Sequence, residues 1–137
     1  MLFIDPIPFL LHLPNIAYKF IYWNPRTANE WELWYFASRD PDISRAIPRH
    51  FPRTENILWK EELEGKQVCV ILSRDDQIVD AGEVRKYLTG GEEERGWEMG
   101  GLEVLFLSGL DHAMVFDTRE RRRPVLDVVR RFVRLAE

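Results

Sequence analysis

Two short apolar runs dominate the second half of the chain. Val68-Cys69-Val70-Ile71-Leu72 is bounded by polar residues and rich in β-branched types, the pattern of a strand buried on both faces. Leu102–Leu107 reads as a second strand of the same kind. Between them, Asp80 and Glu83 form a capping box that opens a helix through Val84, Tyr87 and Leu88, and Gly90 stops it. The acidic, glycine-rich stretch Gly90–Gly101 reads as a surface loop. Pro124 opens a final helix with Val125, Val128, Val129, Phe132 and Ala136 on its apolar face and Arg130, Arg131 and Arg134 outward. Strand, helix, strand, helix predicts right-handed βαβ units on a parallel sheet.

The first half has a different texture. Leu2-Phe3-Ile4, ending at Asp5-Pro6, suits a third and very short strand. Prolines then divide the chain into short helices. Thr27 and Glu30 make a capping box ahead of a helix near 28–38, and Asp40-Pro41 is a second helix start. Trp23, Trp31, Trp34 and Trp59 concentrate here. They serve either as packing or as a lid over an apolar ligand pocket. The expected division is therefore an aromatic, helical segment with a short first strand over 1–63 and a βαβα core over 64–137.

Composition narrows the classes. A chain of 137 residues, 45% hydrophobic and 31% charged, suits one soluble globular domain. The formal net charge of -4 argues against a nucleic-acid partner, which selects for basic excess. Cys69 is the single cysteine, so no intramolecular disulfide forms. Asp5, Pro6, Pro8, His12, Pro14 and Lys19 interrupt the apolar start well short of the ~20 residues a spanning helix needs. The expectation is a soluble, cytoplasmic chain without a membrane span.

The chemistry points to two strand ends. Ser73-Arg74-Asp75-Asp76-Gln77 follows the first apolar run, and Ser108-Gly109-Leu110-Asp111-His112 follows the second. Open α/β sheets place their sites at the carboxyl ends of parallel strands. An acid and a histidine at neighbouring ends can meet, and the carboxylate then fixes the imidazole tautomer that a general base requires. Asp76 and His112 are the candidate pair. Asp75 and Asp80 are rival acids, although Asp80 is better used as a helix cap. Asp111 adjoins His112, and neighbours on an extended loop point apart. Cys69, inside a buried strand, is read as inert. His12 and His50 share no ligand-like spacing, so neither a metal nor another cofactor is expected. The arginines 119, 121, 122 and 123 are either a solvated helix approach or an anion contact.

These motifs carry a family resemblance. Val68–Val79 resembles the seventh strand and acid turn of an α/β-hydrolase, with Ser73 at a position usually held by glycine and Asp76 on the triad acid. Leu102–Phe116 resembles the eighth strand and histidine loop, with His112 on the triad histidine. Leu2–Pro6 is similar to the sixth strand, and 7–63 sits where the family inserts its helical cap. Phe3-Ile4-Asp5-Pro6, Leu110-Asp111-His112-Ala113 and Val115-Phe116-Asp117 are more narrowly similar to uncharacterised fungal α/β-hydrolase-like proteins. The resemblance implies a partial α/β-hydrolase fold: about three parallel strands, a helical cap insertion and two flanking helices. It also exposes a departure, since the Gly-x-Ser-x-Gly nucleophile elbow is missing. Ser38, Ser44, Ser73 and Ser108 stand outside any such elbow.

The implied function is a truncated hydrolase-fold protein that keeps the acid and histidine but is inactive alone. Its first strand would leave an open edge for a second copy or a partner chain. One alternative is a working ester hydrolase whose nucleophile comes from a partner or from Ser108 or Ser44. Another is a non-catalytic binder of an apolar, acyl-type ligand.

Overall fold

The computed structural model describes residues 1–49, 52–91, 96–99 and 101–136. In chain order the elements are β1 (Leu2–Ile4), α1 (Pro14–Tyr22), α2 (Ala28–Leu33), α3 (Pro41–Arg49), β2 (Val68–Ser73), α4 (Ala81–Thr89), β3 (Gly96–Met99), β4 (Leu102–Leu107) and α5 (Arg123–Ala136). They form two compact units, Met1–Pro6 with Trp59–Glu137 and Ile7–Leu58. No helix among the described residues is long and apolar enough to cross a membrane.

The first unit is α/β, with β1, β2 and β4 running parallel in the order β1-β2-β4-β3. β2 lies at the middle of the parallel set. All six of its residues are buried, and each fully buried aliphatic side chain contributes roughly 1.5–3 kcal/mol. Alternation along the strands then assigns two faces. Cys69 and Ile71 share one with Leu2, Ile4, Leu105 and Leu107, against Val125 and Val128 of α5. Phe106 of β4 points the other way, where the Arg85 guanidinium of α4 stacks 4.8 Å from its ring centre. Helices thus flank both faces of a sheet whose three parallel strands are those expected from the βαβ pattern.

Two expectations are corrected. The stretch Gly90–Gly101 is not wholly loop: Gly96–Met99 forms β3, antiparallel to β4 with Met99 opposite Leu102 and Gly96 opposite Leu105. A strand of only four residues gains its order from the neighbouring ladder rather than from its own pattern. Positions 92–95 and 100 of that stretch lie outside the described residues. On α5, Val129 does not join the core. Val125, Val128 and Phe132 occupy the buried stripe, whereas Val129 aligns with Leu126 and Val133 on a second stripe that is about half exposed.

The second unit is helical. Thr27 Oγ1 accepts the Glu30 amide at 3.3 Å while Glu30 Oε2 accepts the Thr27 amide at 3.0 Å, the reciprocal capping box. The helix expected over 28–38 changes pitch part-way, because Trp34–Ser38 is a π-helical turn in which the Arg39 amide bonds to the Trp34 carbonyl. Asp40 Oδ1 caps α3 through the amides of Asp42 and Ile43. Packing does not absorb most of the aromatics here. Tyr18, Tyr22, Trp31, Tyr35 and Phe36 are all more than half exposed, and several stack on one another at the surface, as in the Tyr18–Tyr22 pair 5.3 Å apart.

Candidate functional site

The site is built from two turns that leave the carboxyl ends of adjacent parallel strands. After β2, the chain reverses through Arg74 and Asp75 to present Asp76. After β4, it turns at Ser108-Gly109 and runs to His112. Gly109 takes φ +72°, a conformation that costs glycine little, and its amide reaches Asp75 Oδ2 at 3.0 Å.

Four hydrogen bonds stitch the turns together. The Arg74 amide donates to the Leu107 carbonyl, and the Asp75 amide donates to the Leu110 carbonyl. Gly109 reaches Asp75 as described, and the Gln77 amide donates to Asp111 Oδ1 at 3.2 Å. The rival acids therefore have structural duties. Asp75 ties the turns, Asp80 caps α4 through the Glu83 amide, and Asp111 bonds to Gln77 and to the His112 amide at 2.8 Å.

Asp76 is positioned by its own turn. Its Oδ1 accepts the Ile78 and Val79 amides at 2.7 and 2.8 Å, an Asx-type turn. These donors hold the carboxylate with Oδ2 turned to His112 Nδ1, 2.7 Å away. The Asp76 side chain is 1% exposed and the imidazole 23%, so the pair is dry on the acid side and open on the histidine side. An ionised carboxylate can only accept, so Nδ1 carries the proton. Nε2 then keeps a lone pair whenever the ring is neutral.

The protonation energetics follow from burial and charge. Burial alone would push the His112 pKa down. The hydrogen bond and charge of Asp76, joined by the charges of Asp5 and Asp111, outweigh it and hold His112 above the ordinary imidazole value. In this arrangement Nε2 can accept a proton while Asp76 holds the ring through Nδ1.

Asp5, read from the sequence only as the end of a strand, belongs to the same cluster. It is 4% exposed and adopts φ +43° just after β1. Its Oδ1 accepts the Ser73 amide at 2.6 Å, and its Oδ2 accepts the Ser73 hydroxyl at 2.8 Å and the Ala113 amide at 3.0 Å. Asp5, Asp76 and His112 present ligand-type atoms all within 4.8 Å of one another. Every one of the four carboxylate oxygens already faces an N–H or O–H donor, and Nδ1 is committed to Asp76. Of the two histidines set aside in the sequence, His12 belongs to the helical unit and His50 lies outside the described residues.

The candidate nucleophiles fare differently from the pair. The Ser73 hydroxyl is buried and committed to Asp5. The Ser44 hydroxyl donates to the Pro41 carbonyl at 3.3 Å. Ser38 is buried and Ser108 exposed. Burial, with the nearby Glu103, pushes the Cys69 thiol up to about 12, so it carries no thiolate at neutral pH. Glu103 itself is paired with Arg131 of α5. No protein-family model, curated protein or solved structure matches the chain.

Proposed function

We propose that this chain carries the acid-and-histidine half of an α/β-hydrolase-type site, in which His112 is the general base and Asp76 its orienting acid. The observation that carries the reading is the 2.7 Å contact between Asp76 Oδ2 and His112 Nδ1 at neighbouring parallel strand ends. The strand order supports it, since the acid follows the middle parallel strand and the histidine the next.

Neutral His112 takes a proton through Nε2 from a hydroxyl or a water. Asp76 then stabilises the imidazolium that forms, and the proton leaves from Nε2 in the next step. A serine-type acyl transfer needs a hydroxyl within about 3 Å of Nε2. The Ser73 and Ser44 hydroxyls are directed to other acceptors, and the sequence holds no Gly-x-Ser-x-Gly elbow. The reading is therefore an acid–histidine pair without a nucleophile elbow, for which neither Ser73 nor Ser44 is poised, and which is inactive as an esterase on its own.

The test is fluorophosphonate labelling together with p-nitrophenyl butyrate hydrolysis, each run on the wild type and His112→Ala. The proposal expects no labelling and turnover equal to buffer for both proteins. Labelling of the wild type that disappears in His112→Ala would reveal an activated serine in this chain. Ser108, exposed beside the histidine loop, would then be the first to substitute.

A further inference from the structure

The backbone on either side of the His112 α-carbon is pinned by a carboxylate. The His112 amide donates to Asp111 Oδ1 at 2.8 Å, and the Ala113 amide donates to Asp5 Oδ2 at 3.0 Å. These two peptide groups bracket the φ and ψ of His112, so fixing both fixes the direction in which the imidazole leaves the chain. Ala113 itself is held at φ +60°, a left-handed conformation that costs an alanine about 1 kcal/mol and persists only under external restraint.

Asp5 supplies that restraint from the far end of the sequence. It reaches Ser73 across 68 positions and Ala113 across 108. Tying β1 to β2 requires no more than the Ser73 amide. The second oxygen, shared between the Ser73 hydroxyl and the Ala113 amide, joins the end of β2 to the histidine loop. A buried carboxylate is expensive, and three donors on two oxygens offset that cost.

We propose that Asp5 is a positioning residue of this site, holding the histidine loop against the acid strand so that His112 Nδ1 meets Asp76. This deepens the general-base reading and rests on it. Asp5 acts in two ways: through the Ala113 amide on geometry, and through its charge, which lies within 4.8 Å of the His112 ring nitrogen. The charged groups that bear on the imidazole are Asp76, Asp5 and Asp111.

The experiment is nitrogen-15 NMR of the imidazole and hydrogen exchange of the Ala113 amide in the full chain, comparing wild type with Asp5→Asn, Ser73→Ala and Asp76→Asn. In Asp5→Asn the remaining carbonyl still accepts the Ser73 amide, while the NH2 group faces the Ala113 amide and cannot accept from it. The His112 titration midpoint then falls, because a negative charge near the imidazolium is removed, and the Ala113 amide loses its protection. Ser73→Ala removes one donor and leaves both readouts in place. The proposal is overturned if Asp5→Asn lowers the unfolding temperature but moves neither the midpoint nor the exchange. Should Asp5→Asn fail to fold, the wild type decides: a protected Ala113 amide supports the proposal, and exchange at the unprotected rate overturns it. If Asp76→Asn leaves the midpoint unmoved, the general-base reading fails instead.

Discussion

His112 Nδ1 and Asp76 Oδ2 stand 2.7 Å apart although 36 positions separate them in sequence. Parallel pairing of β2 with β4 makes this possible, because it puts Ser73 opposite Leu107 and launches both turns from the same edge. The sheet thus converts a distant pair into neighbours before any side-chain contact forms.

The folded histidine has a raised pKa, so the sign of its contribution to stability is set. A group whose folded pKa exceeds its unfolded one stabilises most when protonated. The contribution is complete below the ordinary value of 6.5 and is lost as pH rises through the higher folded value. Wild type therefore loses stability across that window relative to Asp76→Asn, whose His112 has lost its counter-charge. Denaturant titrations of both proteins on either side of the window measure the difference. A stability gap that does not change with pH would contradict it.

Asparagine and alanine at position 76 should separate the two duties of the acid. Asp76→Asn keeps a carbonyl oxygen for the Ile78 and Val79 amides and loses the charge-assisted bond to His112. Asp76→Ala loses both duties and leaves two amide donors in a buried turn. It is expected to cost about 1–3 kcal/mol beyond the asparagine variant. Equal destabilisation of the two would show that the turn does not depend on this side chain.

Gly101 is a second point of stress in the sheet. It adopts φ +90°, and a β-carbon there would lie 2.9 Å from the Lys66 carbonyl oxygen. Its own carbonyl accepts the Val68 amide at 2.7 Å, at the start of the β2–β4 pairing. Gly101→Ala is expected to destabilise by about 1–3 kcal/mol. Gly91→Ala, at φ +102° with nothing within 4 Å, carries the backbone strain without the clash. It should lose less, and chemical denaturation of both variants checks the order.

How much of this was legible in the sequence varies with the range of the interactions involved. β2 and β4 declare themselves through continuous apolar runs, and Asp76 and His112 follow from their positions just beyond the strand ends. Asp5 does not. Its partners lie 68 and 108 positions away, and no local pattern signals a carboxylate that will meet them. A clue existed in the short apolar run ending on an acid, since an acid buried at a strand end needs donors. β3 was hidden for a related reason, because its order comes from the ladder with β4 rather than from its own four-residue pattern. The bonds of Asp111 to Gln77 and to the His112 amide, and its charge near the imidazole, emerge only once the two turns lie side by side.

The general-base reading stands or falls on which ring nitrogen of His112 carries the proton. Nitrogen-15 NMR of the neutral imidazole, recorded above its titration midpoint, reports this directly. The account predicts the Nδ1–H tautomer, with a far-downfield proton shared with Asp76 that disappears in Asp76→Asn, and an unprotonated Nε2 free to accept a proton. A neutral ring protonated at Nε2, with no proton shared at Nδ1, would contradict it and leave Asp76 and His112 as a structural contact only.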